Sequence, residues 1–340
     1  MKLALTLLVR DELDVVEAHL AFHLAAGVDV VIATDHRSVD GTSDVLDRYA
    51  KRKYVHVIRR EEDAIQQSKW VTQMARLAAT EHGADWVINS DADEFWWPRE
   101  GSLKDVLAAV PAEYGVVYGV SRVFVPRPGD DWFAERMTTR LALPAPINDT
   151  ATPYRHVAKV AHRADARATV RQGNHRVAGL AYADLRGWSP LEVLHFPLRS
   201  PQQSSGKHEK TWTAWRVNLR GDLMRARRGF EAGRPAAFYD RAVVDDAMVR
   251  RGLADGSLVD DTRLRDAFRI LRDDSGTFVD PGVGEERLQF TSSFRDDASR
   301  ALDAAVLVEA DGVRLRRRLD ELAARIDRRA GGAVYGSARR

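Results

Sequence analysis

Short apolar runs alternate along the first hundred residues with stretches in which apolar positions recur every three or four residues. Leu3 to Val9 reads as a strand. Asp11 to Ala26 reads as a helix, because Leu13, Val16, Leu20 and Leu24 fall on one face and Gly27 ends the run. Val28 to Thr34 is almost wholly apolar, as expected of a strand buried on both faces. A helix over Ser43 to Ala50, a strand over Tyr54 to Arg59, a helix over Asp63 to His82 and a strand beginning at Trp86 follow. Strand and helix alternating with short connections predict an α/β fold with a mostly parallel central sheet flanked by helices.

After Pro98 the pattern loosens. A short helix over Leu103 to Ala109 and a strand over Gly115 to Val125 lead into a proline-rich stretch from Pro126 to Pro153 that carries Asp130, Asp131, Trp132, Glu135 and Asn148. Long irregular stretches inside compact domains are often functional loops, so a binding or lid segment is expected there. His156 to Ala161 and Ala168 to Arg171 read as strands before the turn Gly173-Asn174-His175, and Leu191 to Phe196 as a further strand. Trp212 to Arg228 and Asp261 to Leu271 read as helices. The tail from Asp311 to Arg328 has apolar residues at helical spacing among many arginines, which suits packing on its own domain or contact with an anionic membrane surface. The expected division is an α/β domain over residues 1–210 and a helical C-terminal extension over 211–340.

Composition changes this picture in three ways. With 340 residues, 44% of them hydrophobic, the chain can bury a large core. The 52 basic and 50 acidic residues nearly cancel, so no global field favours nucleic acid as a partner. The absence of cysteine excludes disulfides, thiolate metal sites and cysteine nucleophiles, and leaves metal chemistry to Asp, Glu and His. The apolar run at the amino end is too short for a signal peptide and no run elsewhere is long enough to span a bilayer. A cytoplasmic location is therefore expected, with the basic tail offering contact to the inner face of the membrane.

The densest chemistry follows the strand at Trp86, where Asn89-Ser90-Asp91-Ala92-Asp93-Glu94 empties into Phe95-Trp96-Trp97. Carboxylates at the carboxyl end of a strand in an open α/β sheet lie where ligands bind. In a tight turn Asp91 and Asp93 can direct oxygens at one hard cation, Mg²⁺ or Mn²⁺, which keeps other positions for water and phosphate. A solvated turn is the simpler reading of an isolated Asp-x-Asp; the buried strand before it and the aromatic run after it favour the ligand reading. His19 and His23, four apart, suit packing better than metal binding, since no acidic residue accompanies them. In Asp35-His36-Arg37-Ser38-Val39-Asp40-Gly41-Thr42, Ser38 or Asp40 can cap the next helix with Gly41 easing the turn, and a ligand role is equally open.

Asp91-Ala92-Asp93-Glu94-Phe95 resembles the Asp-x-Asp-Glu-Phe signature of a branch of the family 2 glycosyltransferases, similar also to family 92, and the resemblance covers roughly the first 210 residues. It implies a GT-A fold and transfer of a sugar from a nucleoside-diphosphate sugar, with a divalent ion held against the diphosphate. The segment from Asp35 to Thr42 resembles the Asp-x-x-Ser-x-Asp-Gly-Thr turn of that family and implies that Asp35 contacts the nucleotide base. His195-Phe196-Pro197-Leu198-Arg199-Ser200, followed by Lys207, resembles the same branch, in which a histidine after the last core strand completes the metal site. The implied metal ligands are Asp91, Asp93 and His195. The implied donor-binding residues are Arg10, Asp35, Lys69, Asp91, Arg199 and Lys207. Family 2 chemistry inverts the sugar's anomeric centre and needs a base for the acceptor hydroxyl; Asp131 and His175 are the candidates, with Glu94 either a third or an orienting neighbour of the ligands. The acceptor, whether a glycan, a lipid-linked molecule or a small molecule, is not specified. Two rivals remain open: a sugar-nucleotide or carbohydrate binding protein without turnover, and a metal-dependent phosphodiesterase or nucleotidyltransferase.

Overall fold

A computed structural model describes residues 1–142, 158–186, 188–204, 239–240 and 242–280, and the single positions 282, 287, 288, 290, 305, 307, 308, 312 and 319. The strands are β1 (Leu3–Val9), β2 (Val30–His36), β3 (Val55–Arg60), β4 (Trp86–Asp91), β5 (Glu94–Pro98), β6 (Tyr114–Val123) and β7 (Thr139–Leu141). They continue with β8 (Ala158–Arg163), β9 (Thr169–Val170), β10 (Val177–Ala178), β11 (Ala183–Asp184), β12 (Leu191–His195) and β13 (Leu258–Asp260). The helices are α1 (Val16–Ala25), α2 (Thr42–Lys51), α3 (Gln67–Thr80), α4 (Leu103–Ala108), α5 (Phe133–Arg136), α6 (Asp246–Asp255) and α7 (Arg263–Leu271).

One sheet of nine strands organises the molecule, in the order β3-β2-β1-β4-β8-β6-β12-β5 with β11 alongside β6. β3, β2, β1 and β4 are parallel to one another, β8 runs antiparallel between β4 and β6, and β12 is parallel to β6. The carboxyl ends of β1, β2, β4 and β12 therefore share one edge, and the amino end of β8 joins them there.

Both faces are covered. Val71, Met74, Ala75 and Ala78 of α3 pack on Ala4, Val30, Ile32 and Val87 on one side. On the other, α1, α2 and α4 build the larger core with Leu3, Leu5, Leu7, Trp86 and Ile88. Every residue of α1 except Glu17 is buried, because α7 packs on the side that α1 turns away from the sheet. Phe268 of α7 meets Phe22, Phe95, Phe133, Trp132 and Phe278 in an aromatic cluster. The boundary expected near residue 210 falls outside the described residues, and the described elements on its two sides share this core. β13 adds an antiparallel partner for β7. Buried ion pairs tie the two parts further: Glu192 meets Arg122 and Arg263 at 2.7 Å each, and Asp261 meets Arg140 and Arg263 at 2.7 Å each.

The first helix begins at Val16, five residues later than its periodicity suggests. Asp11 has a positive φ of 52°, and the residues before α1 are spent on hydrogen bonds to the loop after β2. Asp11 N donates to Ser38 Oγ, Glu12 N to Thr42 Oγ1 and Leu13 N to Asp40 Oδ2, while Val39 N donates to Asp11 Oδ1. Neither Ser38 nor Asp40 stands at the cap of α2. Gly41 does, at φ 103°, a left-handed conformation that suits glycine. α3 likewise starts at Gln67 rather than Asp63. The helix expected over Trp212 to Arg228 and, apart from 312 and 319, the basic tail over 311–328 lie outside the described residues. Among the described residues no helix is long and apolar enough to cross a membrane.

His19 and His23 are fully buried packing residues. His19 Nε2 lies 3.1 Å from Ser90 Oγ, His23 Nδ1 lies 2.9 Å from the His19 carbonyl oxygen, and Trp96 N donates to His23 Nε2. Burial holds the pKa of His23 down at about 3 and that of His162 at about 4. Both rings stay neutral when folded but take up a proton near pH 6.5 when unfolded, so this contribution is complete above pH 6.5 and is lost as the pH falls toward 4 and then 3. Stability is expected to decline by about 1.4 kcal/mol per pH unit for each ring across that window. Urea unfolding at pH 7.5, 6 and 5 checks this; equal midpoints would show that the two rings do not control acid stability.

Candidate metal and donor site

The parallel pairing that builds the sheet also assembles its polar edge. In register, Val9 of β1 faces Asp35 of β2, and Leu8 faces Asp91 of β4. Arg10, Asp35 and Asp91 therefore leave three adjacent strands at one level. β4 then breaks at Ala92-Asp93, and β5 crosses to pair with β12 at the far side of the sheet. Its antiparallel register sets Glu94 opposite His195, and Phe196 N donates to the Asp93 carbonyl at 2.9 Å. A strand pairing thus brings together residues about a hundred positions apart.

Asp93, Glu94 and His195 each offer a ligand atom, and these atoms lie within 4.8 Å of one another. His195 Nε2 is 3.7 Å from Asp93 Oδ1, and the other ring nitrogen, Nδ1, is buried with no hydrogen-bond partner. Two carboxylates and an imidazole with one nitrogen unused form a donor set that fits Mn²⁺ or Mg²⁺. Burial raises the Glu94 pKa to about 7, against the opposing pull of Lys159.

Asp91, expected as a metal ligand, stands just outside this group. Its Oδ2 is 2.6 Å from Lys159 Nζ, its Oδ1 accepts from Asn174 Nδ2 at 3.1 Å, and its main-chain N donates to Glu94 Oε2 at 3.2 Å. Lys159 also lies 2.7 Å from Glu94 Oε1 and is almost completely buried. Burial alone would lower the Lys159 pKa; the two carboxylates outweigh that and raise it.

Arg199, expected at the diphosphate, is 1% exposed and sits among carboxylates. It meets Glu12 Oε2 at 2.6 Å, Asp14 Oδ2 at 2.7 Å, Asp93 Oδ2 at 3.6 Å and the Phe196 carbonyl at 3.1 Å. It pins the loop before α1 to the Asp93 turn. Arg199→Met is expected to cost about 3 kcal/mol or more, since it strands buried charge. The midpoint of chemical unfolding measures this, and a loss under about 0.5 kcal/mol, the size of an ordinary surface substitution, would contradict the role.

The remaining expected residues separate. Asp35 is buried and accepts from Ser38 N, Ser43 Oγ and Arg59 Nη1. Arg10 follows β1 at the same edge, with its Nε buried and without a hydrogen-bond partner. Lys69 donates to Gln66 Oε1 at 3.1 Å and lines an outer groove of α3 with Ser68, Thr72, Gln73 and Arg76. Among the described residues it shares no hydrogen bond or ion pair with Asp91, Asp93 or His195. His175 packs beside Lys159, with Nδ1 3.0 Å from the Ala158 carbonyl; burial, reinforced by that lysine, lowers its pKa to about 4. Asp131 is exposed at the start of α5, where its carbonyl accepts from Arg136. Lys207 lies outside the described residues.

Lys159, Asn174, Glu12 and Asp14 were not singled out in the sequence. Lys159 opens an antiparallel strand, whereas sequence reasoning looked for ligands at strand carboxyl ends. A lone lysine in the apolar run Val157 to Ala161 was the available signal.

Residues 19–174 match the family model for Glycosyl transferase family 2. No curated protein sequence matches the chain. Among solved structures the chain is similar to S. aureus TarS 1-349 in complex with UDP-GlcNAc, at 15% identity over 38% of this chain and 36% of that one, with a TM-score of 0.27. It is also similar to glucosyl-3-phosphoglycerate synthase from Mycobacterium tuberculosis in complex with Mn²⁺, UDP and glucosyl-3-phosphoglycerate, at 16% identity over 38% and 45% of the two chains, with a TM-score of 0.25. The chain spans less than half the length of either, and TM-scores of that size carry no weight for substrate or mechanism. The mixed α/β sheet, with a carboxylate turn at its carboxyl edge, has the GT-A arrangement. The segment from residue 19 to residue 174, which holds that turn, is similar to glycosyl transferase family 2.

Proposed function

We propose that this chain transfers a sugar from a nucleoside-diphosphate sugar to an acceptor hydroxyl, with a divalent cation, Mn²⁺ or Mg²⁺, held at the Asp93 corner. The observation that carries the reading is the convergence of Asp93, Glu94 and His195 at the carboxyl edge of a sheet whose sequence matches family 2. When bound, the ion would offset the negative charge that grows on the departing diphosphate.

The chain's own residues do the rest. Asp93, in the turn that leads into β5, and His195, at the end of β12, would hold the ion, and Arg199 keeps the Asp93 carboxylate in place. Asp91 lies beside them toward the donor. Arg10, at the end of β1, supplies positive charge for the phosphates, and Asp35 marks the nucleotide end of the edge. For inversion, a base must take the acceptor proton; of Asp131 and His175, the histidine interacts electrostatically with Asp91 and is held neutral, hence able to accept.

The test is product analysis with a panel of nucleotide sugars, with and without Mn²⁺. Metal-dependent release of a nucleoside diphosphate supports transfer. Release of a nucleoside monophosphate supports the phosphodiesterase rival, and binding without any product supports a non-catalytic binding protein.

A further inference from the structure

Lys159 is charged, nearly unexposed, and placed between two of the three carboxylates of the Asp91-Ala92-Asp93-Glu94 turn. Its Nζ is 2.6 Å from Asp91 Oδ2 and 2.7 Å from Glu94 Oε1. These contacts are barely longer than Ca²⁺–oxygen bonds of about 2.3–2.6 Å. A third oxygen lies on a residue bonded to this group: Asn174, 1% exposed, donates its amide to Asp91, while its Oδ1 is buried with no hydrogen-bond partner. Two carboxylate oxygens around one positive centre, with an unused amide oxygen on the side chain that donates to Asp91, are the donor types that a hard divalent cation takes. The third carboxylate, Asp93, is turned away from Lys159 toward His195 and Arg199.

We infer that Lys159 occupies the position of a second cation, so that this acidic turn takes one divalent ion, at Asp93 and His195, rather than two. A fixed ammonium cannot exchange or recruit water, so it holds Asp91 Oδ2 and Glu94 Oε1 in place and directs the exchangeable ion to the Asp93 corner. Lys159 is in this sense a positioning residue that acts through Asp91 and Glu94. The inference rests on the proposed function only in requiring that one ion bind at the Asp93 corner.

The experiment counts Mn²⁺ bound per chain by equilibrium dialysis, with free Mn²⁺ read by electron paramagnetic resonance, on the wild type, Lys159→Met and Lys159→Arg. One ion on the wild type, two on Lys159→Met and one on Lys159→Arg is the expected result. A folded Lys159→Met that still takes one ion overturns the inference and leaves the transferase reading intact. A wild type that takes none overturns the Asp93 site and this inference with it. Where circular dichroism shows Lys159→Met unfolded in metal-free buffer, millimolar Mn²⁺ is expected to restore the fold, and failure to restore it also overturns the inference.

Discussion

Asp93→Asn is expected to lower metal-dependent transfer about a hundredfold to a thousandfold while leaving the protein folded. Asparagine has the shape of aspartate, so the main-chain bond from Phe196 N to the residue 93 carbonyl and the packing beneath it persist. What is lost is the charge facing His195 Nε2 at 3.7 Å and Arg199 Nη1 at 3.6 Å. Arg199 retains Glu12 and Asp14, so its own cost is small. An ion that stabilises a developing diphosphate contributes several kcal/mol, and each 1.4 kcal/mol is a factor of about ten in rate. The measurement is kcat/KM for the donor at saturating Mn²⁺, alongside circular dichroism. Activity within threefold of wild type would remove Asp93 from the site.

Phe268→Ala is expected to destabilise the fold by about 3–5 kcal/mol, the usual cost of emptying a buried aromatic position. Phe268 is fully buried and its ring lies 5.5 Å from Phe95 and 6.3 Å from Phe22. Phe95 directly follows Glu94, so α7 supports the turn that carries the site. Guanidinium unfolding measures the effect, with a lower midpoint and an unchanged slope. A loss under about 1 kcal/mol, too little for emptying a well-packed aromatic site, would mean that α7 is not part of the core on which the site stands.

The first four strands and three helices were legible because each is short, strongly patterned and joined by a brief connection. Trp86 to Asp91 announced both a buried strand and the carboxylates at its end. His195 was legible as a partner of Asp93 only through resemblance, since the register that joins β5 to β12 is a tertiary fact with no local signal. Asp91 shows the same limit in reverse: spacing put it beside Asp93, but the turn directs the two carboxylates to different partners, Lys159 and the His195–Arg199 side. The late start of α1 was hidden because the backbone of Asp11, Glu12 and Leu13 satisfies a loop 27 to 30 residues away. α1 displayed a helical stripe, yet nothing in its own sequence told that α7 would cover the opposite side.

The central claim is that this edge binds a nucleoside diphosphate through a cation at Asp93. A thermal-unfolding panel of nucleoside diphosphates, each with and without Mn²⁺, on the wild type and Asp93→Asn, tests it most directly. A diphosphate at about a hundred times its dissociation constant stabilises by roughly 2.7 kcal/mol, a shift that is easily read. The account predicts that one diphosphate raises the melting temperature of the wild type only when Mn²⁺ is present and does not raise that of Asp93→Asn. An equal rise without Mn²⁺, an equal rise in Asp93→Asn, or no rise with any diphosphate would contradict it.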